Sequence, residues 1–195
     1  IKDLSTLPAP FLDQTLNLDD YSGVLWELSR GCPFRCDFCY ESRGESGIRR
    51  FPMDRIREEL QRFCEAGVDQ VFVLDPTFNY DKEMAKTILR LIREMAPDIY
   101  FCFEIRSECI DAEMAELFAS INCSLQIGLQ SASDAVLRNV NRSIDVADFE
   151  SKILHLHEAG AVYGFDLIYG LPGDTLEGFR HSLDFVMGFI PNHVD

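Results

Sequence analysis

Basic residues are scarce in this chain. Its 195 residues include 18 Lys and Arg against 33 Asp and Glu, a formal net charge of −15. Such a surface repels a phosphate backbone, which argues against a nucleic-acid partner. Long apolar runs are missing as well: none approaches the ~20 residues that a membrane-spanning helix needs. The opening residues Ile1-Lys2-Asp3-Leu4 have neither the basic nor the apolar stretch of a secretory leader. They also lack an initiator Met, so the chain reads as a fragment of a longer protein. Seven cysteines is an odd number in a chain that is not small, which argues against a secreted disulfide scaffold and for reduced, cytoplasmic thiols. What the sequence does have is a 47% hydrophobic share with 15 Phe, enough for a packed core. That balance excludes disorder, collagen and a coiled coil, and the length fits one domain.

Residues 1–22, with Pro8, Pro10 and two Asp-rich stretches, read as an extended lead-in, and residues 23–195 as the domain. From Val24 the apolar pattern alternates between two periods. Short apolar stretches at 24–28, 71–74, 99–105, 124–129 and 165–169 suit buried strands. Helical stripes lie between and after them at 53–66, 84–95, 111–120, 146–159 and 174–190, with Gly67, Pro97, Gly160 and Pro191 as stops. The alternation predicts an α/β fold of right-handed βαβ units, a parallel sheet with helices outside. Five units cannot close an eight-stranded barrel. The expectation is an open, partial barrel that stops after the fifth unit.

The sharpest signal is Arg30-Gly31-Cys32-Pro33-Phe34-Arg35-Cys36-Asp37-Phe38-Cys39-Tyr40, a C-x3-C-x2-C spacing with an aromatic before the third Cys. It falls in the loop after the first strand, at the end of a parallel sheet where ligands bind. Three thiolates can hold one face of a four-iron cluster and leave one iron open to a substrate or cofactor, whereas a fully ligated cluster only passes electrons. A structural zinc needs a fourth ligand. Cys64, Cys102, Cys109, Cys123 and the four His offer none at paired spacing. The other four thiols sit mostly in apolar text and suit a core, and His155, His157, His181 and His193 read as structural or solvent-facing. Eight of the 18 bases fall within residues 30–62, around the Cys segment. For Arg55, Arg57 and Arg62 a solvated helix face with i,i+4 pairs explains them.

This text resembles the radical S-adenosylmethionine (SAM) superfamily from about Val24 to the C-terminus. The resemblance implies a partial (βα)6 TIM-like barrel in which Cys32, Cys36 and Cys39 bind a [4Fe-4S] cluster and SAM chelates the fourth iron. One electron then cleaves SAM to methionine and a 5′-deoxyadenosyl radical, which takes a hydrogen atom from substrate. By position it implies SAM contacts at Phe38, at Asp75 in Asp75-Pro76-Thr77-Phe78-Asn79, and at Glu104 and Arg106. It implies others at Gln130 and Ser131 in Gly128-Leu129-Gln130-Ser131, at Arg142, and at Ile168, Gly170 and Pro172 in Ile168-Tyr169-Gly170-Leu171-Pro172-Gly173. The usual Gly-Gly-Glu text is replaced by the Asp-Pro-Thr-Phe stretch.

The lead-in Leu4-Ser5-Thr6-Leu7-Pro8-Ala9-Pro10-Phe11 is similar to the connector between a cobalamin-binding domain and a radical SAM domain. That subgroup contains oxidative cyclase-like proteins of magnesium-protoporphyrin monomethyl ester and methyltransferases. Cobalamin would then be held by a domain outside this chain, since no Asp-x-His-x-x-Gly text occurs here. The implied partners are a small-molecule substrate, a tetrapyrrole among the options, and an electron donor such as flavodoxin or ferredoxin docking at Arg43, Arg49 and Arg50. The other readings are a methylthiotransferase and a non-catalytic zinc or Fe-S module.

Overall fold

The computed structural model describes residues 3–41 and 47–195. Strand β1 (Gly23–Trp26) leads into the cysteine segment, which is bracketed by a two-residue antiparallel pair, β2 (Ser29–Arg30) with β3 (Arg49–Arg50). Then follow α1 (Met53–Ala66), β4 (Gln70–Val73), α2 (Lys82–Met95), β5 (Tyr100–Ile105) and α3 (Ala112–Ala119). The chain continues through β6 (Cys123–Gln130), α4 (Asp134–Arg138), α5 (Val146–Ala159), β7 (Tyr163–Leu167), α6 (Leu176–Met187) and β8 (His193–Val194). The main sheet has the order β1-β4-β5-β6-β7-β8, with every neighbouring pair parallel. It is a six-stranded open sheet, and the strand expected to be missing after the fifth unit is present as short β8.

Capping chemistry sets the helix bounds. Asp81, Asp111, Asp145 and Thr175 each accept a backbone N–H in the first turn of α2, α3, α5 and α6. Helix α1 ends at Gly67 with φ 68°, a left-handed conformation that a residue without a Cβ adopts at no steric cost. The last helix is shorter than the pattern 174–190 because Thr175 caps it and Ile190, with φ 52°, lies beyond its end. Strand β7 starts earlier than 165 because Tyr163 and Gly164 pair with Leu125 and Gln126.

Alternate strand residues face the helices. Trp26, Val71, Val73, Phe101, Phe103, Ile105, Leu125, Ile127 and Phe165 are all buried in one core. Trp26 meets Phe63 of α1 edge-on at 5.5 Å, and its indole N–H donates to Glu59 at 2.8 Å. The lead-in is packed onto this core: Leu4 and Leu18 are buried in it and Phe11 meets Phe63 at 5.0 Å. Of the clustered arginines, Arg55 pairs with Glu59, Arg62 with Glu65 and Arg50 with Asp81, while Arg43 lies outside the described residues. Among the described residues no helix is long and apolar enough to cross a membrane.

Candidate active site

The C-terminal ends of β1, β4, β5, β6 and β7 converge on a cavity of about 220 Å³. Cys32, Cys36 and Cys39 all line it, with Phe34 and Phe38 from the same loop. Pro76 and Thr77 follow β4, Glu104, Ile105 and Arg106 close β5, Gln126, Gly128 and Gln130 come from β6, and Asp166 comes from β7. Arg142, from the segment after α4, completes it.

The cysteine loop is held by the segment after α4. The Asp37 N–H donates to the Val140 carbonyl at 3.0 Å, and the Asn141 side-chain amide donates to the Arg35 carbonyl at 2.6 Å. Asn141 has φ 55°, a conformation that Asn tolerates better than most residues. Arg142 Nη1 lies 3.9 Å from Cys36 Sγ, and its Nη2 donates to the Gly128 carbonyl. Arg106 Nη1 lies 4.0 Å from the same sulfur. Cys36 is buried, and Cys32 and Cys39 are partly so. Cys32 Sγ is 3.6 Å from Thr77 Oγ1.

The charges are divided. Next to the cysteines stand two guanidinium groups. Burial and the nearby Arg106 pull the Arg142 pKa below the usual arginine value. Burial also opposes the Arg106 charge, but its bond to Glu108 more than offsets this and raises its pKa. Across the cavity stand Glu104 and Asp166. Burial pushes both carboxyls above the usual range; the charge of Asp166 adds to this for Glu104, and that of Asp195 for Asp166. Gln126 ties this side together: its amide donates to Asp166 and, at 2.8 Å, to Asp195, and its carbonyl sits 2.7 Å from His193 Nε2. This interior bond gives His193 a structural place.

The predicted site residues therefore divide. Cys32, Cys36, Cys39, Phe38, Glu104, Arg106, Gln130 and Arg142 share the cavity. Asp75, Ser131, Ile168, Gly170 and Pro172 are not brought to it. The Asp75 carboxylate is turned away to accept the N–H groups of Leu28 (2.8 Å) and Ser29 (3.0 Å) and the Ser29 hydroxyl. Pro76 and Thr77 of the same text line the cavity. Ser131 is buried beside Ser182, with hydroxyls 3.5 Å apart. Ile168 packs with Val136, Val140 and Leu171. The Pro172 carbonyl accepts from Asn139 at 2.9 Å, and Gly170 takes a turn conformation with φ 80°. Gln126 and Asp166 are polar lining residues that motif reading passes over. Their signal was available only in the strand alternation, as polar residues out of phase with the core positions.

The donor set suits an iron–sulfur cluster. Three thiols share one cavity with two guanidinium groups beside them, which complements an anionic cluster. Among the described residues no three His, Cys, Asp or Glu are grouped to hold a single metal ion. A four-iron cluster takes each thiolate on a different iron, so its ligands stand farther apart than those of one zinc.

This is the cysteine-bearing partial barrel of radical SAM enzymes. A profile of the radical SAM superfamily matches residues 26–186, and the chain belongs to that superfamily. It is 27% identical over 181 residues to a cobalamin-dependent radical SAM methyltransferase of Streptomyces tokunonensis, covering 88% of this chain and 26% of that protein. It is 24% identical over 172 residues to the mouse threonylcarbamoyladenosine tRNA methylthiotransferase, covering 82% and 30%. The fold is that of the radical SAM methyltransferase TsrM of Kitasatospora setae, with TM-score 0.78 at 21% identity over 88% of this chain and 35% of that one. The chain thus spans between about a quarter and a third of these relatives.

Proposed function

We propose that this chain is the radical SAM domain of a cobalamin-dependent methyltransferase that acts on a small molecule in the cytoplasm. The observation that carries the proposal is the convergence of Cys32, Cys36 and Cys39 with Arg106 and Arg142 on one cavity at the strand ends. When bound, the cluster supplies the single electron that cleaves SAM. Cys32, Cys36 and Cys39 would hold it, and the loop bonds from Val140 and Asn141 fix where they stand. Arg142 would pair with the SAM carboxylate, a reading supported by its guanidinium lining the cavity beside Cys36. Glu104 and Asp166 line the carboxylate side of the cavity, and Phe38 adds an apolar ring to it. The similarity to the Streptomyces methyltransferase favours methyl transfer over tetrapyrrole cyclisation. Cobalamin would be held by another part of the whole protein, and a reduced flavodoxin or ferredoxin would deliver the electron.

The mouse relative favours a second reading, methylthiolation of tRNA. The net charge of −15 opposes it for this part of the protein.

The test is anaerobic reconstitution with iron and sulfide, then low-temperature EPR with and without SAM. Methyl transfer from labelled SAM in the presence of cobalamin follows. A [4Fe-4S]⁺ signal that SAM perturbs, together with label in a small-molecule product, is the expected result. Stoichiometric zinc and no cluster would overturn the radical assignment. Label in tRNA would favour the second reading, and 5′-deoxyadenosine without methyl transfer would return the assignment to a cyclase or oxidase.

A further inference from the structure

Arg106 is held on nearly every side. It is 8% exposed, at the end of β5. Its backbone N–H donates to Asn79 Oδ1 at 3.0 Å, and its carbonyl accepts from Asn79 Nδ2 at 2.8 Å. Its guanidinium carbon lies over the Phe34 ring, 3.7 Å from the centroid. One edge, Nε and Nη2, is engaged by the Glu108 carboxylate, with Nε 2.9 Å from Oε1. The remaining nitrogen, Nη1, points at Cys36 Sγ at 4.0 Å. Phe34 belongs to the cysteine loop itself, between Cys32 and Cys36, so the stack ties the arginine to the ligands it faces.

This fixation leaves the guanidinium little freedom to turn. It suits a charge whose distance from one sulfur must stay constant. The reduction potential of an iron–sulfur cluster depends on N–H···S contacts and on nearby charge. A positive charge favours the reduced, more negative cluster, and a negative charge disfavours it. The near member of this pair is the cation and the far member is the carboxylate.

We propose that Arg106 and Glu108 are an opposed pair of positioning residues that sets the cluster's reduction potential through Cys36. Arg106 raises the potential, Glu108 limits the rise, and Phe34 keeps the spacing. This rests on the cluster reading of the preceding section.

The experiment is an EPR-monitored redox titration of the reconstituted protein, with iron and sulfide content measured in parallel. Arg106→Gln should move the midpoint to more negative potential. Glu108→Gln should move it to more positive potential, because the arginine is left without its counter-charge. Arg90→Gln, which removes an exposed cation paired with Glu113 on the helices, is the control and should not move it. Opposite shifts are not expected from a general loosening of the fold. Unchanged midpoints or shifts of one sign overturn the proposal. If Arg106→Gln loses its iron, Glu108→Gln decides, and loss of iron in both makes the pair structural and overturns it. A wild-type protein that takes up no cluster would instead defeat the functional reading.

Discussion

The two faces of the main sheet are built from the same strands and have almost nothing in common. On β5, Phe101, Phe103 and Ile105 are buried under the helices, while Cys102 and Glu104 turn to the inner side. On β6 and β7, Leu125, Ile127 and Phe165 join the same core, and Gln126 and Asp166 stand opposite them near the cavity. The outer face is apolar, tightly packed and served by rings such as Phe103 and Phe118, 5.6 Å apart. The inner face is polar toward the strand ends and tied by side-chain hydrogen bonds. Stability and chemistry are thus assigned to alternate residues of one strand, and substitutions on the two faces should fail in different ways.

The largest expected effect separates function from fold. Cys36→Ala should abolish cluster-dependent formation of 5′-deoxyadenosine while the metal-free protein keeps its far-UV circular dichroism. A variant that still makes 5′-deoxyadenosine would break the comparison. Phe103→Ala tests the other face. It should cost about 3–5 kcal/mol in denaturant unfolding, because it removes a fully buried ring from a packed cluster. A cost below ~1 kcal/mol would mean that this face is not the core. Arg142→Ala is a smaller, purely ligand-directed change. It should weaken SAM binding by about 1.5–3 kcal/mol, as expected for a lost charged hydrogen bond. An unchanged Kd would remove Arg142 from the SAM site.

The smallest effect is electrostatic. Burial favours the neutral acid at Asp166, so the native state keeps that proton to higher pH than the unfolded chain does. Stability from this group is therefore greatest at low pH. It falls as pH rises from the ordinary carboxylate value through the raised one. Asp166→Asn keeps an acceptor for Gln126 and should flatten that fall, giving a small rise in Tm at pH 7 and none at pH 3. A variant with an unaltered pH profile would show that the inner face carries no such strain.

The two faces also explain what could be read from the residues. The outer face was legible because apolar periodicity is a local property, and β4, α1 and α5 fall close to where the pattern puts them. The cysteine ligands were legible because three thiols within eight residues form a pattern needing no tertiary contact. Gln126 and Asp166 were legible only as polar residues out of phase with the core, because alternation does not tell which strand positions meet at one cavity. The direction of the Asp75 side chain was illegible for a related reason. Its text sits at a ligand-binding strand end, yet the carboxylate turns to the Leu28 and Ser29 backbone, 47 and 46 positions away. Strand β8, with only two residues, is too short for any periodicity to mark it.

Gly164 lies on β7 opposite His193 of β8, and a Cβ built there would stand 2.2 Å from the imidazole ring. The ring is anchored, since its Nε2 is 2.7 Å from the Gln126 carbonyl oxygen. The history of this edge is therefore constrained in order. Position 193 must shrink before position 164 can grow, and a lineage that took the steps the other way round would pass through a misfitted sheet edge beside its own active site.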